Sequence, residues 1–239
     1  MTMTMAEMEA QIKDLQAKFT YLDDLNKIKR LQAAYSYYVT RMLKQEIVDC
    51  FSDHPDTALY WLEGAYLGKD AVRRYFGAVT EGAGQPPEFW HQVMPVAGVV
   101  DMLPSGDRAQ GRWYTIGTHS LPTPGGGFRK SWVAGMLENE YIKEDGVWKF
   151  LKINWQIPYT VTIPDELWHW PDIIAERLSG ASGVPGAHVP PVADIPFDPA
   201  DPRFMAGYVL PFHYPHPVTG RPASEGANNE RVIQANRKK

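Results

Sequence analysis

From about Glu7 to Phe51 the chain has no Gly or Pro, and apolar residues such as Leu22, Leu25, Ile28, Leu31 and Tyr35 recur at three-to-four spacing. That spacing predicts one or more long helices. Ile47, Val48 and Phe51 predict a further short helix that ends at Ser52-Asp53-His54-Pro55. The period then changes. Ala58 to Leu62 reads as a short strand, and Tyr66-Leu67-Gly68 leads into a helix from Lys69 to about Val79 with Val72, Tyr75 and Phe76 on one face and its basic residues toward solvent. After a Gly/Pro loop at Gly82 to Pro87, three strands are predicted at Phe89 to Asp101, Ala109 to Ser120 and Arg129 to Ile142.

A fourth long strand follows the clearest local signal in the chain, Lys143-Glu144-Asp145-Gly146-Val147-Trp148-Lys149-Phe150. Asp-Gly supplies the positive-φ positions of a type I′ turn, whose twist matches the strands it joins. Strict alternation would place Val147, Lys149, Leu151 and Ile153 on one face and Trp148, Phe150, Lys152 and Asn154 on the other. Helices followed by hairpin-linked strands make an α+β order rather than a βαβ repeat. Gly125-Gly126-Gly127 lies between two strands, so it reads as a hairpin loop and not as a phosphate cradle.

Thirteen of the twenty prolines lie from Pro158 onward, which argues against long regular elements there. The same stretch keeps Trp168, Trp170, Phe197, Phe204, Tyr208, Phe212 and Tyr214, too many aromatics for a solvated tail. It is expected to be an arm packed on its own domain or a neighbour, with Ala227 to Lys239 mobile. Three regions result: a helical extension (1–24), a main domain (25–159) and a Pro/aromatic-rich arm (160–239).

A net charge of −4 offers no general attraction to nucleic acid. No apolar run is long enough to span a membrane, and the N-terminal residues lack the pattern of a signal peptide, so a cytoplasmic protein is expected. The single cysteine, Cys50, excludes an internal disulfide and a Cys-rich metal site. Eight Trp and twelve Tyr suit a pocket for flat ligands, although cores and subunit interfaces use the same residues.

The helical half, the phrase Tyr66-Leu-Gly-Lys-Asp-Ala-Val-Arg-Arg-Tyr-Phe76 and the late Asp145-Gly146-Val147-Trp148-Lys149 hairpin resemble the SnoaL-like branch of the nuclear-transport-factor-2-like (NTF2-like) superfamily over about Leu25 to Tyr159. The resemblance implies a cone: a strongly curved antiparallel sheet whose open side is closed by N-terminal helices, leaving a pocket for a small molecule. In one relative, scytalone dehydratase, the phrase Phe89-Trp90-His91 resembles a strand that carries a catalytic histidine. The Tyr-Asp pair of that enzyme falls near Val39-Thr40 here, and its second histidine falls around Trp132 to Ala134, so those positions are changed. Other relatives remove water and formaldehyde from lignin-derived diarylpropanediols or phenylcoumarans without a cofactor. Chain length, aromatic load and the Pro-rich arm resemble that subgroup. The resemblance also implies a small aromatic substrate, no cofactor and a homo-oligomer, either dimer or trimer.

Candidate chemistry centres on His91, whose parity with Phe89 and Val93 places it on a sheet face and whose imidazole ordinarily titrates near neutrality. Tyr38 and Arg41, three apart on the helix expected to roof the pocket, can present a phenol and a guanidinium to an oxyanion. Their plainer reading is packing and a surface ion pair. Arg112 shares a face with Tyr114, opposite Trp113, Thr115 and His119. If inward, Arg112 is a buried cation in need of a partner, and if outward it is an ordinary surface residue. Tyr60 or Trp61, Tyr114, Trp132 and Asn154 are the candidates for ring stacking and hydroxyl recognition.

His213 and His216 are separated by Pro215, and neither His-Glu-x-x-His nor Cys-x-x-Cys occurs, so no metal site is expected. Gly-x-Ser-x-Gly is absent too. The expected function is a cofactor-independent lyase that eliminates water and formaldehyde from a phenolic diaryl compound through a quinone methide, giving a stilbene. The alternatives are a simple dehydratase, a non-catalytic binding or assembly module, and a polyketide cyclase or ketosteroid-isomerase-like enzyme using a carboxylate such as Asp101 or Glu138.

Overall fold

The computed structural model describes residues 3–61, 64–80, 85–167, 201, 202, 205 and 207–237. Helix α1 (Met5–Thr40) and the short α2 (Lys44–Asp49) come first, followed by β1 (Ala58–Trp61), β2 (Gly64–Leu67) and α3 (Lys69–Thr80). Four long strands succeed them: β3 (Trp90–Met102), β4 (Arg108–Pro122), β5 (Phe128–Glu144) and β6 (Val147–Thr162). A 3-10 turn (Asp165–Leu167) and α4 (Glu225–Asn236) complete the described elements. One sheet has the order β2-β1-β6-β5-β4-β3, with only β1 and β6 parallel. The α+β architecture with a curved sheet therefore matches the expectation.

The Asp145-Gly146 turn is of the predicted kind, with φ of 50° and 79° at its two central residues and Glu144 paired to Val147. The predicted parity of β6 fails further along. Glu140 pairs with Lys152 but Tyr141 pairs with Phe150, so Leu151 is an extra residue. This bulge lets Phe150 and Leu151 both be buried, and the inward set changes from Trp148 and Phe150 to Ile153 and Trp155. A second irregularity on β6 spans Ile157-Pro158, where Met136 pairs with Gln156 and Ala134 with Tyr159. A third lies on β3, between the Val96–Tyr114 and Val99–Arg112 pairs, with Ala97 at φ 50°. Each bulge adds local twist and bends its strand.

The concave side is also kept clear. A Cβ at Gly117 would lie 1.9 Å from the Gln92 carbonyl oxygen, and one at Gly135 would lie 2.3 Å from the Gln156 carbonyl oxygen. At these two positions the neighbouring backbone occupies the space a side chain would need.

Helix α1 closes the concave side through polar as well as apolar contacts. Its Gln32 Oε1 accepts from Tyr141 Oη at 2.8 Å and Asn139 Nδ2 at 2.9 Å, and the Trp113 indole donates to Tyr141 Oη at 3.0 Å. Asp24 accepts from the Trp148 indole at 2.8 Å and Lys143 Nζ at 2.9 Å, which fixes the helix to the hairpin. Around these bonds Ile28, Leu31, Tyr35, Phe51, Phe150 and Ile153 form the core. On α3, Val72 and Phe76 are buried and Arg73 and Arg74 exposed, as the spacing predicts.

The described part of the C-terminal arm packs on its own domain. His216 Nε2 donates to the Glu46 carbonyl at 2.8 Å, Glu46 Oε1 accepts from Ser224 N at 2.7 Å, and Arg221 pairs with Asp49 at 2.5 Å. Residues 227–236, expected to be mobile, instead lie within α4, with Asn228, Asn229 and Val232 buried. Trp168, Trp170, Phe197 and Phe204 lie outside the described residues. Gly117→Ala is predicted to lower stability by more than ~2 kcal/mol in chemical denaturation, because strand backbones must separate to admit the methyl group. Gly226→Ala, in α4 with open space at its Cβ, should leave the midpoint unchanged or slightly raised.

Candidate active site

His91 and His119 face each other across β3 and β4 as a cross-strand pair. Both are buried, and their rings stack at 4.3 Å between centroids with 23° between planes. Trp155 on β6 stands edge-on to both, at 6.0 Å from His91 and 6.2 Å from His119. Its indole N–H donates to Thr115 Oγ1 at 3.0 Å, which holds the ring in place. Behind it Trp61 lies 4.8 Å from Trp155 and 6.0 Å from Tyr75, so the imidazole pair adjoins an aromatic cluster.

His91 Nδ1 and His119 Nε2 are buried and without a hydrogen-bond partner among the described residues. Burial, reinforced by the neighbouring His119, lowers the His91 pKa to about 3. Burial, reinforced by Arg129, lowers that of His119 to about 4. Both rings are therefore neutral at physiological pH, each with one N–H donor and one lone pair. Such a pair can bind a hydroxyl or accept its proton in a dry setting, and the resulting imidazolium surrenders that proton readily.

Arg41 has a different part from the one expected. It caps the end of α1 and is buried, with its guanidinium donating to main-chain carbonyls of the segment that leads into β3: Pro86 at 3.2 Å, Pro87 and Gln85 at 3.4 Å, and Phe89. Its donors are directed at the backbone that carries His91, so it fixes the start of that strand. Burial, with repulsion from Arg231, lowers its pKa to about 10, still a cation at neutral pH. Tyr38 has different partners. The Tyr38 ring stacks on His216 at 5.2 Å and meets Phe212 edge-on at 5.5 Å, and burial raises its phenol above the ordinary value.

The remaining candidates divide by face. Trp61 is on the concave side, whereas Tyr60 pairs with Asn154 and both line a depression of about 260 Å³ on the convex side, with Glu138, Glu140 and Lys152. Arg112 points outward, 70% exposed, and pairs with Glu138 at 2.5 Å, so it is a surface ion pair rather than a buried cation. Tyr114 and Trp132 are also outward, 62% and 50% exposed. Alternation had grouped Arg112 with Tyr114 but could not say which face turns inward. The carboxylates considered for an isomerase, Asp101 and Glu138, are both exposed. Among the described residues no three His, Cys, Asp or Glu side chains converge to hold a metal ion.

His119 was the residue left unselected. Its parity with Trp113 and Thr115 was a usable signal, but only the β3–β4 register brings it onto His91.

The SnoaL-like domain model matches residues 20–154, more than half of the chain and all of the sheet up to Asn154. The protein belongs to the SnoaL-like domain family. Among solved structures the fold resembles a scytalone dehydratase-like protein from Novosphingobium aromaticivorans DSM 12444, with 19% identity, 62% of this chain and 92% of that one covered, and a TM-score of 0.50. It also resembles a hexachlorocyclohexane dehydrochlorinase, LinA type 2, with 20% identity, 64% and 97% coverage and a TM-score of 0.51. No curated protein matches the chain. The SnoaL-like match begins within α1, at residue 20.

In the unfolded chain both site histidines take up a proton near pH 6.5, whereas in the folded protein they resist until about 4 and about 3. Unfolding is therefore linked to proton uptake in that window. Their contribution to stability is fully present above pH 6.5 and is lost as pH falls toward 4 and 3. His91→Gln and His119→Gln should each flatten the dependence of the urea midpoint on pH between those limits.

Proposed function

We propose that the protein is a cofactor-independent lyase that acts on a small phenolic, diaryl compound. The observation that carries this reading is the stacked, neutral His91–His119 pair, with two unsatisfied ring nitrogens beside an aromatic wall of Trp155 and Trp61. The names of the two similar structures support it, since dehydration and dehydrochlorination are both eliminations.

The proposed substrate is a diarylpropane-1,3-diol bearing a para-phenol. One imidazole takes the phenolic proton as the benzylic C–O bond breaks, and the imidazolium so formed passes that proton to the departing hydroxyl, which leaves as water and gives a quinone methide with the imidazole neutral again. The imidazole lone pair then removes the proton of the terminal hydroxyl. The carbon–carbon bond breaks, formaldehyde leaves, and its electron pair restores the aromatic phenolate, which is reprotonated. Net change is loss of one water and one formaldehyde with formation of a stilbene. Arg41 serves as a positioning residue through the segment 85–89. The reading also includes a cytoplasmic homo-oligomer with the Pro-rich region 160–239 as an arm on the main domain.

The test is turnover of a panel of diaryl diols and phenylcoumarans by purified protein, following stilbene absorbance and free formaldehyde. Wild type should release both in equal amounts, and His91→Ala or His119→Ala should slow release by about 10²-fold or more. Stilbene-type product without formaldehyde would indicate a simple dehydratase. Binding without turnover would leave a binding module, and retention of activity within a few-fold in both variants would remove the histidine pair from the chemistry.

A further inference from the structure

The first half of α1 projects from the rest of the described protein, and every residue from Met3 to Leu22 is exposed. An isolated stretch of this kind has no core to serve, yet it is not uniformly polar. Met5, Met8, Ile12, Leu15, Phe19 and Leu22 follow one another at steps of three, four, three, four and three. These are the a and d positions of three heptads, and their exposures run from 36% at Met8 to 72% at Phe19. The helix also has a built beginning. Thr4 Oγ1 accepts from the Glu7 N–H at 3.3 Å while Glu7 Oε2 accepts from the Thr4 N–H at 2.7 Å, a reciprocal capping box.

The seam stops where docking on the sheet begins. In the same heptad frame, the residues buried against the domain are Asp24, Leu31 and Tyr38 at f, Ile28 and Tyr35 at c, Ala34 at b, Gln32 and Val39 at g, and Thr40 at a. The a and d positions after Leu22 are Asn26, Lys29, Ala33, Ser36 and Thr40, polar or small. One continuous helix thus carries two apolar stripes in series, the first facing away from the domain and the second facing into it. Because no residue from Met3 to Leu22 is buried, a partner helix on this part of the seam would not meet the described domain.

We infer that this seam pairs with the same seam of a second copy in a parallel two-stranded coiled coil, which makes the protein a homodimer through its N-terminal overhang. The six side chains, 36% to 72% exposed, form one continuous apolar line over three heptads, the kind of exposed patch that marks an interaction site. Charge selects the orientation. In a parallel pair each g residue faces the e residue of the partner's next heptad, so Lys18 meets the second copy's Asp23 twice by symmetry, and Gln11 meets Gln16. An antiparallel pair sets e against e and g against g. Glu9, Gln16 and Asp23 at e include no cation, and Gln11, Lys18 and Leu25 at g include no anion, so that arrangement gains no ion pair.

The full chain should sediment at twice its 27.0 kDa mass, and the double variant Leu15→Glu, Phe19→Glu should sediment at 27.0 kDa with an unchanged thermal transition. Leu15→Cys adds a thiol at an exposed position, while the native Cys50 is buried. Mild oxidation of that variant should give a covalent dimer, because equivalent d positions face each other only in the parallel arrangement. A monomeric or trimeric wild type would overturn the inference. So would a dimer that survives the double glutamate change, including one dissolved instead by Trp132→Glu, which would put the contact on the convex sheet face. Dissociation by the glutamates without cross-linking of Leu15→Cys would reject the parallel pairing.

Discussion

A sheet can wrap toward one helix only if its concave side is relieved of side chains and its strands gain residues where they turn. Both conditions are met here. Gly117 and Gly135 take concave positions where a neighbouring carbonyl already fills the space of a Cβ. Extra residues near Ala97, at Leu151 and near Pro158 break the ladder on β3 and β6. The β3–β4 register sets His91 beside His119, and the curvature brings Trp155 of β6 and the closing helix over them; without it the two imidazoles would stand on a flat, wet face and keep their ordinary proton affinity. Burial is the chief cause of their depressed pKa values, so the site's electrostatics follow from the sheet's shape.

The helix that closes the concave side is held by polar contacts whose cost of burial is offset by mutual hydrogen bonding. Gln32 accepts from both Tyr141 and Asn139, and Asp24 accepts from Trp148 and Lys143. Removing either acceptor would leave buried donors unmatched, which is more costly than the net gain of the bonds themselves. The same helix continues to Arg41, whose guanidinium gathers four carbonyls from the segment before β3. Helix position and histidine position are therefore tied together. The arm adds to this closure from the other side, where His216 stacks on Tyr38 and bonds to the Glu46 carbonyl.

What could be read from the sequence was what depends on near neighbours. The Asp145-Gly146 hairpin is specified by its own two turn residues, and α3 by the spacing of Val72 and Phe76. His91 was found through a short phrase resembling a relative. The inward face of β4 was not legible, because alternation fixes which residues share a face but not which face meets the helix. Arg112 and Tyr114 share the face that turns away from the helix, 70% and 62% exposed. Bulges inverted the later part of β6 for a related reason: one inserted residue changes every subsequent parity. Arg41 and Tyr38 share a face by spacing alone, yet Arg41 is the residue at which the helix ends, and contacts from segments 45 and more residues away in sequence determine what each does. The heptad seam is present in the sequence from Met5 to Leu22, but its meaning depends on knowing that this half of the helix is exposed along its whole length.

The central claim is that sheet curvature buries two histidines as a neutral, stacked pair, and nitrogen NMR of the imidazole rings tests it most directly. Protein labelled with ¹⁵N-histidine, with the two resonance sets assigned through His91→Gln and His119→Gln, would be titrated downward from about pH 8. Both rings are predicted to keep the nitrogen shifts of a neutral imidazole through about pH 5, below the ordinary histidine range. Titration of either ring near pH 6.5, the ordinary value, would mean that it is solvated or paired with a charge, and would contradict the site as described.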